Sequence, residues 1–246
     1  MRIIQNFEWA ELDDKALTIF IPNYGRGDYI RRLIEQFQTK ASVEMYTIVV
    51  GNDGLHDDFS DLYPKNVRYF TLGRKDPNIS RNGCFIRNYF IKRCKSRNIF
   101  SKDPETEIRP MNADSPTDWI LDYCRRTGDF VRPQTTLSLG TGEAPQSVIP
   151  GVSHRFHWGF LAPTEALREL RGYNEQFTGY GYEDTEFYEV LLHKVGTLVL
   201  DKNVMVVHHP HPVESKVYHE VNDMARVYSR LSRDPMHRNI CGWGEG

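Results

Sequence analysis

Three short runs, ALTIFIP (16–22), YTIVVGNDG (46–54) and VRYFTLG (67–73), are dominated by apolar and β-branched residues. Runs of that length with little polar alternation predict strands buried in a sheet covered by helices. Between the first two, Ile30, Leu33, Ile34 and Phe37 recur at the spacing of one helix face. A strand, a helix and further strands in succession restrict the chain to an α/β layer arrangement with a mostly parallel central sheet flanked by helices. Such sheets bind ligands at the carboxyl ends of their strands, so the residues after each run are the first candidates for a site.

A chain of 246 residues holds one sizeable core, and a single domain over 1–246 is expected. The formal net charge of -2 argues against a generic nucleic-acid binder. Cys84, Cys94, Cys124 and Cys241 are widely spaced and contain no C-x-x-C pair, which points to neither a zinc ribbon nor a disulfide framework and fits a reducing compartment. The opening MRIIQNFEWAELDDK has acids and no long apolar centre, and no run approaches the length of a membrane span. The expectation is a cytoplasmic chain without a transmembrane segment, with peripheral membrane association left open.

The strand ends carry suggestive chemistry. Pro22, Asn23 and Tyr24 follow the first run, and Asn52 and Asp53 close the second. A G-x-G-x-x-G fingerprint is missing after the first run, which weakens a dinucleotide-binding dehydrogenase. Between Arg74 and Arg97, eight basic residues (Arg74, Lys75, Arg81, Arg87, Lys92, Arg93, Lys95 and Arg97) stand against one acid, Asp76. That is either a solvated helix face or a set of guanidinium forks suited to a diphosphate. The run NIFSKDPETE (98–107) predicts a short strand ending in Asp103-Pro104-Glu105. Two carboxylates one residue apart suit a hard divalent cation, and Asp-Pro is equally a turn initiator.

The region 106–152 is rich in Pro, Gly, Ser and Thr, with one helix-like piece, TDWILDYCRR, and is expected to form loops over a site. HWGFLAPTEALREL (157–170) predicts a strand, a Thr164 cap and a short helix. FTGYGYEDTEFYEVLLHKVG (177–196) then places Glu183, Asp184 and Glu186 in the first turn of a helix whose apolar positions include Phe187, Val190 and Leu191. Acids there complement the helix dipole. The preceding glycines, Gly179 and Gly181, point instead to unusual backbone or close approach of a ligand. GTLVLDKNVMVVHHPHP (196–212) predicts a strand pair or bent strand ending in His208, His209 and His211, which are either structural or metal ligands. Val217, Val221, Met224, Tyr228 and Leu231 mark an amphipathic C-terminal helix.

The order of these pieces, and above all FTGYGYEDTEF preceded by WGFLAP and LRGYNEQF, resembles the GT-A fold glycosyltransferases, specifically family-2-like inverting enzymes and the related galactosyltransferase group. ISRNGCFIRNYFI is similar to the arginine-asparagine helix that precedes that group's metal motif. The likeness spans roughly 16–212. It implies a Rossmann-like GT-A domain with a nucleotide-sugar-binding half (16–105), an acceptor-binding and catalytic half (106–212) and a C-terminal helix and tail (213–246).

By position, the resemblance gives Pro22, Tyr24 and Asp53 the base and ribose, and Arg81 or Arg87 the diphosphate. Asp103 and Glu105 fall in the slot of the D-x-D motif, altered here to D-P-E with Lys102 beside it, and His209 or His211 matches a late histidine ligand. Asp184 falls where inverting members carry the catalytic base, and Glu183 beside it binds the acceptor, with Trp158, Tyr180 and Tyr182 stacking on its apolar face. The implied cofactors are a divalent cation (Mn2+ or Mg2+) and a UDP-linked sugar donor. The implied acceptor is a glycan or glycolipid in polysaccharide assembly, and no nucleic acid is involved. Two alternatives are a nucleotidyltransferase, for which PNYGRGDY supplies few glycines, and a carbohydrate-binding scaffold of the same fold that has lost catalysis.

Overall fold

The structure, a computed structural model, describes residues 3–37, 44–54, 57–73, 83–126, 130–138, 147–148, 159–178, 181–209, 223–228 and 243. In chain order the elements are β1 (Ile3–Gln5), β2 (Leu17–Asn23), α1 (Gly27–Gln36), β3 (Tyr46–Asp53), β4 (Val67–Leu72), α2 (Gly83–Arg93), β5 (Asn98–Ser101) and β6 (Thr106–Pro110). They continue with α3 (Pro116–Arg126), β7 (Phe130–Ser138), β8 (Ser147–Val148), β9 (Phe160–Pro163), α4 (Thr164–Glu169), α5 (Glu183–Val195) and β10 (Leu198–His208).

The strands join one sheet in the order β1-β4-β3-β2-β5-β9-β7-β10-β6, with β8 on β7. Strands β4, β3, β2 and β5 run parallel, as the buried runs predict. Beyond β5 the pairing becomes antiparallel at β9 and β6 and parallel again between β7 and β10. The whole sheet is therefore mixed, with one parallel block of β4, β3, β2 and β5 and a second parallel pair, β7 and β10.

Period-two alternation explains the total burial of β2. Leu17, Ile19 and Ile21 join a cluster with Ile30 and Ile34 of α1 and Trp119 and Ile120 of α3. Phe20, on the other face, joins Phe90 of α2, Leu167 of α4 and Phe187 of α5. Its ring stacks on Phe90 at 4.1 Å and 3°. α3 starts where Ser115 Oγ accepts the Asp118 amide at 3.1 Å, just before Pro116 fixes the first helical φ.

Two expectations are corrected. The span 106–138 is not a set of loops, because β6 and β7 are strands of the central sheet. Pro133 hid β7: it pairs with Asp201 immediately before a register shift in the β7–β10 ladder, where a strand tolerates proline. Thr164 is the first residue of α4 and not its cap, since Pro163 holds the N-cap position without a side-chain bond. The C-terminal helix is described only at 223–228.

β2 lies at the switch point of the parallel half, with β3 on one side and β5 on the other. The Lys102 amide donates to the Phe20 carbonyl at 3.2 Å. Continuing that register brings Asp103 alongside Pro22, so the candidate residues after β2, β3 and β5 share one edge.

Gly51 inside β3 exists for packing: a Cβ there would lie 2.9 Å from the Phe20 ring and 2.9 Å from the Phe70 ring. Gly51→Ala should destabilise by about 1–3 kcal/mol. In a denaturant double-mutant cycle, Phe70→Leu should make the alanine less costly by roughly 0.5 kcal/mol or more. Strict additivity would mean that the ring is not what excludes the methyl group.

Candidate active site

At the edge shared by β2 and β3 the side chains form one network. Asn23 Nδ2 donates to Asn52 Oδ1 (2.7 Å) and to Asp57 Oδ2 (2.6 Å), and Asn23 Oδ1 accepts the Arg26 amide (2.9 Å). Asn52 Nδ2 donates to the Asp57 carbonyl (2.9 Å) and Thr71 Oγ1 (3.1 Å). The two buried carboxamides thus spend their capacity on each other and on the turn after β3. They hold buried Pro22 and half-buried Tyr24 and Asp53 in place at the crevice. Asp57 was not among the residues expected from sequence. The available signal was that two asparagines at adjacent strand ends require buried partners.

The second group centres on Arg87 of α2, which is 9% exposed. Its Nη2 donates to Asp103 Oδ1 at 2.7 Å and its Nη1 to the Gly83 carbonyl at 3.0 Å. The guanidinium carbon stands 5.4 Å from the Tyr173 ring centroid. Burial works against its charge, but Asp103, Tyr173 and Asp184 together raise its pKa, so it is a permanent cation. Burial pushes the Glu183 carboxyl up, with Asp103 adding to the shift and Arg87 opposing it. Cys84, in the first turn of α2, feels Glu183, Asp184 and Glu186, and its buried thiol is pushed up chiefly by desolvation. Arg87, Asp103, Glu183 and Asp184 therefore occupy one electrostatic cluster between the end of β5 and the start of α5.

The start of α5 is itself unusual. Tyr182, its N-cap, is left-handed (φ 67°, ψ -16°) and follows Gly181 at φ 102°. A bulky residue at positive φ stores strain, a feature that clusters at functional sites. Tyr182 is 37% exposed, with its ring 5.5 Å from that of Tyr228, whose hydroxyl donates to Glu189 Oε2 at 2.8 Å.

The D-P-E segment forms a turn. The Asp103 carbonyl accepts from Thr106 Oγ1 (2.8 Å) and the Thr106 amide (3.3 Å). The His209 amide donates to the Glu105 carbonyl at 2.9 Å, so the topology does bring His209 to this segment. Its ring, however, meets Glu107 Oε2 at 3.1 Å. Burial raises the Glu107 carboxyl, but Arg109 and His209 outweigh that and hold it low. Among the described residues no group of three His, Cys, Asp or Glu side chains is placed to hold a metal ion. Asp103 Oδ1 is already engaged by Arg87, and the described residues do not fit a formed cation site. Arg81, Trp158, Tyr180 and His211 lie outside the described residues.

Lys102 is the residue that sequence reasoning placed but did not explain. It is 0% exposed, and among the described residues its Nζ has no hydrogen-bond partner. It stands 5.7 Å from the Phe37 ring centroid. Burial lowers its pKa to about 7, against the pull of Asp103, Glu105 and Glu107.

Solved structures align over most of the chain. S. aureus TarS matches at 15% identity with a TM-score of 0.60, covering 88% of this chain and 40% of TarS. GalNAc-T7 with UDP, GalNAc and Mn2+ matches at 12% and 0.59, covering 86% of this chain and 47% of that one. The mannosyltransferase PcManGT from Pyrobaculum calidifontis, in complex with GDP-Man and Mn2+, matches at 12% and 0.57, covering 94% and 69%. TarS has also been solved in complex with UDP. A family model described as the N-terminal domain of galactosyltransferase matches residues 159–211, the stretch that contains β9, α4, α5 and β10. Comparison with curated proteins finds no match. The fold is that of the GT-A glycosyltransferases, and the chain spans less than half the length of TarS and of GalNAc-T7.

The Lys102 environment has a measurable sign. Its pKa of about 7 lies below the unfolded value of 10.5, so unfolding takes up a proton between those pH values and stability from this group rises with pH across that window. Lys102→Met should be more stable than wild type at pH 6.5, and the advantage should shrink by pH 9 in parallel denaturant titrations. An advantage that does not change with pH would place the ammonium in a solvated or paired setting.

Proposed function

We propose that this chain is an inverting glycosyltransferase that moves a sugar from a nucleoside-diphosphate donor to a hydroxyl of a glycan or glycolipid. The observation that carries this reading is the single cluster of Arg87, Asp103, Glu183 and Asp184 at the switch-point edge of a GT-A sheet. The nucleotide-bound TarS, GalNAc-T7 and PcManGT structures support a donor of this class, and a UDP-linked sugar is the donor we assign.

In this reading Pro22, Tyr24 and Asp53 receive the base and ribose, held in place by the Asn23–Asn52–Asp57 network. Arg81 or Arg87 approaches the diphosphate, and Arg87 can do so only in competition with its bond to Asp103. Asp184 removes the proton of the acceptor hydroxyl as its oxygen bonds the anomeric carbon. The bond from that carbon to the diphosphate oxygen breaks, its electron pair leaves with the nucleotide, and the configuration inverts. Glu183 orients the acceptor, with Trp158, Tyr180 and Tyr182 on its apolar face. A divalent cation, when bound, would neutralise charge on the departing diphosphate. Asp103, Glu105, His209 and His211 are the residues the resemblance assigns to it. A cation at Asp103 must compete with the Arg87 pair, so no step is derived through the metal.

The Arg87–Asp103 pair also favours a second reading, a carbohydrate-binding protein of the same fold that does not transfer. Donor hydrolysis without acceptor separates the two. The catalytic assignment is tested by Asp184→Asn, which keeps size and can still serve the helix start but cannot accept the proton. A folded variant whose turnover falls about a hundred- to ten-thousandfold is expected, with donor affinity unchanged and an inverted product anomer in wild type. Turnover above roughly a tenth of wild type would move the role to Glu183 or Glu186, and a retained anomer would reject single displacement.

A further inference from the structure

We infer that Asn88 is a positioning residue for the transfer reaction: its carboxamide clamps the 171–175 turn and, through the Tyr173 ring, sets the acidic start of α5 against Arg87. This rests on the reading above, and it assigns a role to a side chain that never touches substrate.

Asn88 follows Arg87 on α2 and is 0% exposed. Its Oδ1 accepts the Tyr173 amide at 2.6 Å, while its Nδ2 donates to the Tyr173 carbonyl at 2.8 Å and to Glu175 Oε1 at 2.8 Å. Both backbone groups of Tyr173 are thus paired by one side chain, much as a neighbouring strand would pair them. The turn is built around that side chain. Arg171 and Gly172 both have positive φ (57° and 63°), and a Cβ on Gly172 would lie 2.0 Å from Asn88 Oδ1. Residue 172 is glycine because the carboxamide occupies the space of a side chain.

What the clamp holds is the Tyr173 ring. It is fully buried, stacked on Phe187 of α5 at 3.8 Å and 9°, with its other neighbour the Arg87 guanidinium. Phe187 lies four residues after Glu183 and three after Asp184, on the same side of the helix. The position of the Tyr173 ring therefore sets where those carboxylates stand relative to Arg87 and Asp103. A leucine at residue 88 would fill a core of this kind. The carboxamide gives up hydration for bonds whose net worth is small, and what it adds is a single geometry for the turn.

Two readouts test this on the full chain with Asn88→Ala and Asn88→Asp, the latter keeping the acceptor for the Tyr173 amide while losing both donations. Hydrogen exchange should show amides at 172–177 and 183–187 losing protection in Asn88→Ala, with β2 and β3 unchanged. Turnover per folded molecule should fall tens- to hundredfold, as a displaced catalytic group does, while donor KM stays within about twofold. Asn88→Asp sets a carboxylate oxygen against the Tyr173 carbonyl and Glu175, so it should lose at least as much protection and turnover as Asn88→Ala, and whichever variant folds carries both readouts. Unchanged exchange would overturn the clamp. Increased exchange with unaltered turnover, or donor KM rising in step with the loss, would overturn the positioning role. A wild type that neither transfers nor hydrolyses any nucleotide sugar would overturn the reading beneath it, and exchange would still decide whether Asn88 holds α5.

Discussion

The ion pair between Arg87 and Asp103 ties α2 to the turn that follows β5. Arg87 comes from the helix that packs on the parallel strands, Asp103 from the turn two residues beyond β5, and their side chains meet at 2.7 Å. Pairs this deeply set add little net stability, because two charges have left water, yet removing one partner strands the other at a cost of about 3–5 kcal/mol. The pair is therefore better understood as fixing geometry. It holds a permanent cation whose charge is felt by Glu183 and Asp184 at the start of α5. The three carboxylates Asp103, Glu183 and Asp184 would repel one another without that cation.

Around this point the fold supplies two kinds of support. On the β2–β3 edge, neutral carboxamides tie β2, β3 and β4 to one turn through Asn23, Asn52 and Thr71. On the acidic edge, aromatic stacking carries the load, from Tyr173 through Phe187 to Tyr188 and Phe130. Both edges are buried and hydrogen-bonded or stacked, as a site that must hold groups to a fraction of an ångström requires. Lys102 is fully buried near the Phe37 ring, and the desolvation of its ammonium is only partly offset by Asp103, Glu105 and Glu107.

Much of this was legible in the sequence, and the failures have physical causes. The runs at β2, β3 and β4 are read directly because burial of a strand on both faces leaves no polar alternation. The α5 boundary is read from three acids and the apolar residues that follow, and the structure starts that helix at Glu183. Strands β6 and β7 were missed because TEIRP and FVRPQTTLS contain prolines, and proline at a bulged position looks the same as proline in a loop. The grouping of Arg87, Asp103, Glu183 and Asp184 was suggested only by resemblance, since they come from three segments far apart in the chain. The turn of the His209 ring to Glu107, and the roles of Asp57 and Asn88, depend on contacts between distant residues that no local pattern encodes.

Whether the switch-point edge receives a nucleoside diphosphate is measured most directly by calorimetric titration of the folded chain with UDP, GDP and TDP, each with and without Mn2+. Clear binding of at least one is expected, lost in Asp53→Ala and retained in Asp61→Ala, whose exposed side chain pairs with Arg31. Binding of none of the three under either condition, or equal binding by both variants, would contradict a nucleoside-diphosphate site at that edge.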